Sequence, residues 1–290
     1  MNLLSIVWDV SPEIFSIGSL SVRWYGVLFA LAFVISYFLM KKMFKSSGVN
    51  YDYLEKLSIY MFVSVLLGAR LGHCLFYEFN YYISNPLEML LPFRINDGSW
   101  EFIGYQGLAS HGAAIGIVVG VILFQVKTNI PAFWTFDRLV IAICFAGASI
   151  RLGNLMNSEI YGHYTDLPWG FIFVRDNQSL ASHPTQLYEA LAYIGLGILL
   201  YFLSVNKKKV FKQGFVFGIF LVGLFLARFL IEFVKNNQES WEEAMAFNMG
   251  QWLSIPFILV GIGLIIITIK KDIGKSLDIS KLKNIQTKKK

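Results

Sequence analysis

Charged residues are scarce in this chain of 290 residues, since Asp, Glu, Lys and Arg together make up 15% of the sequence. A water-soluble domain usually carries about 25% charged residues, so the composition excludes an ordinary soluble enzyme. Apolar residues reach 56% and aromatic residues 16%. They come in runs of about 17 to 25 residues, which is the length that crosses a bilayer as a helix. The sequence therefore predicts a polytopic membrane protein.

Cysteine is also scarce, and both cysteines, Cys74 and Cys144, lie inside apolar runs. Their number and spacing exclude a disulfide framework and a zinc-type cluster, and we interpret them as small buried apolar residues. No metal or organic cofactor is expected. The N-terminal stretch has no basic region ahead of its apolar residues, so we do not expect a cleavable signal peptide. The sequence has no internal repeat of the kind that marks transporters.

Seven apolar runs are long enough to cross the membrane. Helices are expected for all of them, because every backbone polar group in lipid needs an internal partner. The runs are also longer than the alternating segments of about ten residues that form barrel strands. The predicted fold is thus an all-α polytopic membrane protein with seven transmembrane helices. The predicted spans are residues 24–40, 57–77, 110–126, 136–150, 185–205, 215–234 and 251–269.

The basic residues predict the orientation of the chain. The net charge of +6 does not indicate nucleic-acid binding, because the lysines form short clusters between apolar runs. These clusters follow the first, third, fifth and seventh spans, so the positive-inside rule places the N-terminus outside and the C-terminus in the cytoplasm. We expect a membrane domain over residues 1–270, a small extracytoplasmic head over residues 153–184 between spans four and five, and a basic cytoplasmic tail over residues 271–290.

Ionisable and polar side chains interrupt several spans, and the predicted topology places all of them in the outer half of the membrane. They are Tyr25, Arg70, His73, His111, Arg151, Arg228 and Glu232. Charged side chains at membrane depth are costly and usually functional. Unrelated structural roles would scatter such residues over both leaflets, so the clustering predicts one polar cavity that opens to the outer side.

Structural roles remain open for several of these residues. Arg228 and Glu232 are four residues apart on a helix, which is the spacing of a neutralising pair. The positions of Arg70 and His73 also fit side chains that extend to the outer interface, and this is the interpretation that we favour for His73. The small residues around Gly112 fit tight helix packing as well as close approach of a ligand. Arg151 fits a structural role less well, because the stretch that follows it is polar and the guanidinium fork suits phosphate oxygens.

The stretch "ASIRLGNLMNSEIYG" resembles the signature of the prolipoprotein diacylglyceryl transferase family. Further similar blocks follow the family order, among them "SVRWYGVLFALAF", "GARLGHCLFY", "GLASHGAAIG", "HPTQLYEALAY", "ARFLIEF" and "NMGQWLSIP", and the resemblance covers about residues 10–265. The signature residues that match are Arg151, Asn154, Asn157, Glu159 and Gly162. The sequence departs from the family pattern at His73, Ala113, Ala114, Ile150 and Leu155, and none of these changes removes a polar group assigned to chemistry.

The resemblance implies transfer of the diacylglyceryl group of phosphatidylglycerol to the lipobox cysteine of a prolipoprotein signal peptide. It implies a bacterial cytoplasmic (inner) membrane location among membrane lipids, with the active site toward the outer leaflet. It also implies roles for individual residues. His111, Arg151 and Arg228 are the catalytic candidates, Tyr25, Asn154, Glu159, Glu232 and Gly112 join the two arginines in binding substrate, and Arg70, Asn157, Gly162 and Glu189 support them.

Two other functions are compatible with the residues alone. One is a channel or transporter for an anionic lipid or a small anion, but a conduit needs polar residues through the inner half of the membrane as well. The other is a different membrane transferase that acts on undecaprenyl or phospholipid substrates. Secreted proteins with a Leu-x-x-Cys lipobox in the same cell would favour the lipoprotein function.

Overall fold

The computed structural model describes residues 5–18, 20–91, 93–96, 99–102, 107–205, 211–236 and 245–271. Within these residues seven helices are long and apolar enough to cross a membrane, as predicted. The helices are α1 (Trp24–Ser46), α2 (Tyr51–Phe76), α3 (Phe79–Ser84), α4 (Ser110–Thr128), α5 (Ala132–Met156), α6 (Thr185–Val205), α7 (Phe215–Ile231) and α8 (Met249–Lys270), of which α3 is short. The strands are β1 (Ile6–Trp8), β2 (Glu13–Ile17), β3 (Leu20–Arg23), β4 (Phe93–Asn96), β5 (Ser99–Phe102) and β6 (Phe171–Phe173).

The helices extend beyond the apolar runs where polar residues cap or continue them. Helix α2 begins at Tyr51 because the Asn50 side chain accepts a hydrogen bond from the backbone of Asp52, and side-chain caps of this kind stabilise helix starts. Helix α8 begins with a capping box between Asn248 and Gln251. Hydropathy alone does not register such caps, which explains why the predicted spans for α2 and α8 begin later than the helices do.

The chain forms two compact units, whose boundaries fall inside α1 and α5. Among the described residues, the first unit contains those up to Met43 and those from Phe136 to Lys271, and the second contains Phe44–Thr135. The predicted single membrane domain and the basic tail stay predictions, and the tail beyond Lys271 lies outside the described residues.

The first unit packs its helices through small residues and buried apolar side chains. Ala148 of α5 packs against Ala190 and Tyr193 of α6. Gly218 of α7 faces Gly261 of α8 so closely that a Cβ at either glycine would meet the backbone of the other helix within 3.1 Å. Small residues of this kind let membrane helices approach each other. These contacts fix the relative positions of α5, α6, α7 and α8 near the charged residues described below.

The fold is mainly helical and adds three two-stranded sheets among the described residues. One of them supports a small head between α5 and α6, where strand β6 pairs in parallel with β1. The head buries Phe171 and Phe173 against Leu155, and the Trp8 indole donates a hydrogen bond of 3.0 Å to the Leu155 carbonyl. The head predicted from the strand-like alternation is therefore present as a folded segment, and its extracytoplasmic location stays a prediction.

The second unit is organised by the crossing of α2 and α4. Gly68 and Gly72 of α2 face Gly112 and Gly116 of α4, and a Cβ at Gly72 would lie 2.7 Å from the Gly112 Cα. Four glycines on facing surfaces thus bring the two backbones into direct contact. The packing role that the sequence left open for Gly112 is the one its contacts support.

Replacing Gly116 by alanine is expected to destabilise the protein by about 1–3 kcal/mol, because the new Cβ would overlap the Ser64 carbonyl of α2. Gly195→Ala in α6 is the matched control, since no atom lies within 4 Å of the Cβ that it adds. Thermal unfolding in detergent measures both. Equal melting temperatures for the two variants would contradict the tight crossing of α2 and α4.

Candidate functional site

A buried group of charged side chains joins the ends of α5, α6 and α7 in the first unit. Arg151 Nε lies 2.7 Å from Glu189 Oε2. Lys235 Nζ lies 3.8 Å from Glu189 Oε1 and 3.6 Å from Glu232 Oε2. Glu189 is 0% exposed and Lys235 is 2% exposed. Charges this deeply buried persist only when they are paired, and here two cations and two carboxylates alternate along one network.

The signature segment extends this network toward Glu159. The Arg151 guanidinium donates to Asn154 Oδ1 over 3.2 Å, and the Asn154 amide donates to Glu159 Oε1 over 2.7 Å. Asn157 donates to the same carboxylate oxygen over 3.2 Å. The two amides therefore hold the Glu159 carboxylate beside Arg151, which gives Asn154, Asn157 and Glu159 a common structural reason for their spacing.

The turn that carries Glu159 has a strained backbone, and side chains of α6 hold it in place by hydrogen bonds. Ser158 and Ile160 both have left-handed backbone conformations, with φ of 55° and 63°, and a β-branched residue such as Ile160 rarely adopts them. The Gln186 amide donates to the Glu159 carbonyl over 2.6 Å, and the Thr185 hydroxyl donates to the Ile160 carbonyl over 2.9 Å. Strain of this kind persists where surrounding contacts enforce it.

Arg228 lies in the last turn of α7 and has no counter-ion among the described residues. Among the residues that the structure describes, no carboxylate lies within ion-pair distance of Arg228, and its Nε is buried without a hydrogen-bond partner. The neutralising pair with Glu232 is therefore absent, because the Glu232 carboxylate pairs with Lys235 instead. Tyr193 lies near both arginines, since its hydroxyl is within electrostatic range of Arg151 and of Arg228.

Tyr25 and Gly162 also belong to this region. The Tyr25 ring packs against Gly153, where a Cβ would lie 2.7 Å from a ring carbon, and its hydroxyl lies within electrostatic range of Glu159 and Arg151. Gly162 forms an antiparallel bridge with Lys235. A side chain at Gly162 would overlap the Val234 carbonyl, so the signature requires glycine here for backbone contact.

The second unit contains the remaining predicted residues. His111 is exposed in the first turn of α4. His73 stacks on Tyr77 with ring centroids 5.7 Å apart. For Arg70, the sequence left open a side chain that extends to the interface, and its contacts do not support that alternative. Arg70 is 2% exposed. Its guanidinium donates hydrogen bonds to the carbonyls of Glu88 and Met89 over 2.7 and 3.1 Å, and both carbonyls lie near the end of a short 3₁₀ turn.

Lys235 is a site residue that the sequence reasoning missed. Two features could have revealed it. Lys235 lies three residues after Glu232, which is the spacing of an ion pair on a helix. A second carboxylate, Glu189, lies on a different span, in the block "HPTQLYEALAY" that resembles the family. Tyr193 and Gln186 were also missed, because an aromatic residue and an amide on an apolar helix have no distinctive spacing.

Two head residues have shifted pKa values. Burial, together with the hydrogen bond and negative charge of Asp176, raises the pKa of Tyr161 to about 12. Burial and the neighbouring His163 lower the pKa of His183 below its usual range. Both side chains are therefore neutral at neutral pH, and neither adds charge to the network. Within the described residues no group of three His, Cys, Asp or Glu side chains is arranged to hold a metal ion.

These features define a class, a multi-pass membrane protein with a buried network of paired charges. Beside this network, one arginine has no counter-ion among the described residues and can bind an anion. Comparison with known proteins makes the class specific. The family model for prolipoprotein diacylglyceryl transferase matches residues 12–267. The chain belongs to this transferase family.

Curated relatives cover nearly the whole chain. A phosphatidylglycerol–prolipoprotein diacylglyceryl transferase of Bacteroides fragilis is 43% identical over 90% of this chain and 94% of its own length. Proteins with the same name from Porphyromonas gingivalis and Tolumonas auensis are each 41% identical. They cover 94% and 92% of this chain, and 98% of the length of each relative.

Proposed function

We propose that this chain transfers the diacylglyceryl group of phosphatidylglycerol to the lipobox cysteine of prolipoproteins, with Arg151 and Arg228 binding the lipid phosphate. The observation that carries this proposal is Arg228, a cation of a membrane helix whose buried Nε has no partner among the described residues. An unpaired cation in such a place is costly, and a phosphate offers the oxygens that a guanidinium fork binds best.

The reaction requires one bond to form and one to break. The cysteine sulfur attacks the glyceryl carbon that carries the phosphate, forming a carbon–sulfur bond, and the carbon–oxygen bond to the phosphate breaks. The electron pair stays on that oxygen, so glycerol 1-phosphate leaves with one more negative charge than the diester had. Cations held in place beforehand stabilise such developing charge and lower the barrier.

The other residues of the site support this step. Glu189 orients Arg151 through a 2.7 Å ion pair, and Asn154 fixes the opposite edge of the guanidinium. Tyr25 and Glu159 provide a hydroxyl and a carboxylate that suit the hydroxyl groups of the glycerol headgroup. The positive-inside distribution of lysines supports a location of this site at the outer leaflet, where a lipobox peptide arrives.

Purified protein tests the proposal directly. The protein is mixed with phosphatidylglycerol vesicles and a synthetic lipobox peptide, and the peptide is analysed by mass spectrometry. Addition of one diacylglyceryl group to the cysteine, with release of glycerol 1-phosphate, is expected. A peptide without the cysteine is the control. An unmodified lipobox peptide under conditions where the protein remains folded would contradict the proposed function.

His111 is proposed as the group that removes the thiol proton. An ordinary cysteine thiol has a pKa of about 8.5, and an imidazole accepts protons near neutral pH. His111→Asn and His111→Gln are expected to lower the transfer rate by about 10²-fold or more and to change its dependence on pH. If either variant keeps the pH dependence of the unmodified protein, the base is another group.

A further inference from the structure

Lys235 is held in place by contacts on both its backbone and its side chain. Its backbone pairs with Gly162 of the head, and the neighbouring Val234 carbonyl accepts a hydrogen bond of 2.9 Å from His163. Its ammonium group lies between Glu189 and Glu232. A lysine that is 2% exposed has little room for other positions, so its charge is fixed at this point of the site.

Two cations lie at sequence positions from which they could pair with Glu232. It follows Arg228 by four residues and precedes Lys235 by three, and both spacings allow ion pairs on a helix. The structure contains the pair with Lys235, at 3.6 Å. The helix tightens into a 3₁₀ turn at Glu232–Val234, which brings positions three apart onto one side. Gly250 also borders the carboxylate, since a Cβ there would lie 2.6 Å from Glu232 Cδ.

The charge balance of the buried network indicates the role of Lys235. Arg151 and Lys235 balance Glu189 and Glu232, and in the part of the chain that the structure describes, Arg228 remains as the cation of this region without a carboxylate. If the charge of Lys235 is removed, Glu232 becomes a buried carboxylate without a cation. Such a group is strongly unfavourable, and Arg228 is the cation four residues away that can neutralise it.

We propose that Lys235 is a positioning residue that keeps Glu232 away from Arg228, so that Arg228 stays available to the lipid phosphate. This inference rests on the proposed function for the identity of the anion. Without Lys235, an internal carboxylate competes with the phosphate for the same guanidinium. The expected defect is therefore weaker use of phosphatidylglycerol, which removal of the Glu232 charge reverses.

A double-mutant cycle tests the competition. Lys235→Met, Glu232→Gln and the double variant are compared in vesicles with varied phosphatidylglycerol content. Lys235→Met is expected to raise the KM for phosphatidylglycerol about tenfold or more, a change typical of losing a charge-assisted contact. The double variant is expected to return to within about threefold of Glu232→Gln alone. Lys235→Arg keeps the charge and is expected to stay near the unmodified protein.

The chemical reactivity of Arg228 provides a readout that does not depend on activity. Phenylglyoxal labels unpaired arginines, and mass spectrometry reports the label at Arg228. Labelling is expected in the unmodified protein, to fall about tenfold in Lys235→Met, and to return in the double variant. If Lys235→Met does not fold, Lys235→Gln replaces it in the same cycle.

The outcomes separate the two proposals. A double variant that is as impaired as the single lysine variant, or Arg228 labelling that does not change in Lys235→Met, overturns the positioning role. Labelling that changes as expected in a protein that does not modify the lipobox peptide supports the positioning role and contradicts the proposed function.

Discussion

Replacing Arg228 by glutamine is expected to lower the rate of diacylglyceryl transfer by about 10²- to 10³-fold, the loss typical of removing one group that stabilises developing negative charge. Arg228 lies at the end of α7 with its Nε buried and unpartnered. Glutamine keeps a hydrogen-bond donor but lacks the positive charge and the two parallel N–H donors of the guanidinium. Because no described carboxylate pairs with Arg228, the substitution breaks no ion pair, and the fold should tolerate it.

Initial rates with phosphatidylglycerol vesicles and a lipobox peptide measure this effect, and thermal unfolding checks the fold. Arg228→Lys separates charge from geometry, since it keeps the positive charge without two parallel donors. Arg175→Gln is the matched control, because Arg175 forms an exposed ion pair with Asp9 on the head. Near-normal turnover of both Arg228 variants would mean that another cation binds the phosphate.

Replacing Glu189 by alanine is expected to lower the free energy of unfolding by about 3–5 kcal/mol, the usual result of removing one partner of a buried ion pair. Glu189 is 0% exposed and lies between Arg151 and Lys235. Its removal leaves both cations without the carboxylate that they share. The orientation of Arg151 is lost at the same time, so transfer should also fail.

Thermal or denaturant unfolding in detergent measures the stability of this variant. Glu189→Gln preserves the shape of the side chain and isolates the contribution of charge. Glu13→Gln is the matched control, because Glu13 pairs with Arg23 at 3.5 Å on the protein surface, where such pairs contribute about 0–1 kcal/mol. Equal stability of Glu189→Ala and Glu13→Gln would contradict the buried network.

The spans were predictable because long apolar runs have few alternatives in a membrane. The helix starts were not, because they depend on side-chain caps such as Asn50 for α2 and the pair Asn248 and Gln251 for α8. The pairing of β1 with β6 could not be predicted either. Their three-residue strands are short, and their register depends on packing against Leu155.

The site was predictable where one segment carries several polar residues at fixed spacing. Arg151, Asn154 and Glu159 interact with one another as a single stretch of the chain. Lys235 was missed because its burial depends on the backbone bridge to Gly162, a long-range contact that has no local pattern. The burial of Arg70 was not predictable for a similar reason, since the carbonyls that it binds belong to a separate turn at residues 86–89.

The head has a consequence for the order in which the chain is made. Strand β1 cannot pair until residues 171–173 have been synthesised, and the bridge from Gly162 needs Lys235, which follows six of the seven long helices. Chains are made from the N-terminus and their domains fold as they emerge. The charged network therefore gains its second cation late, and a nascent chain that stops before Lys235 carries Glu232 without that partner. Completion of the site thus coincides with completion of nearly all membrane insertion.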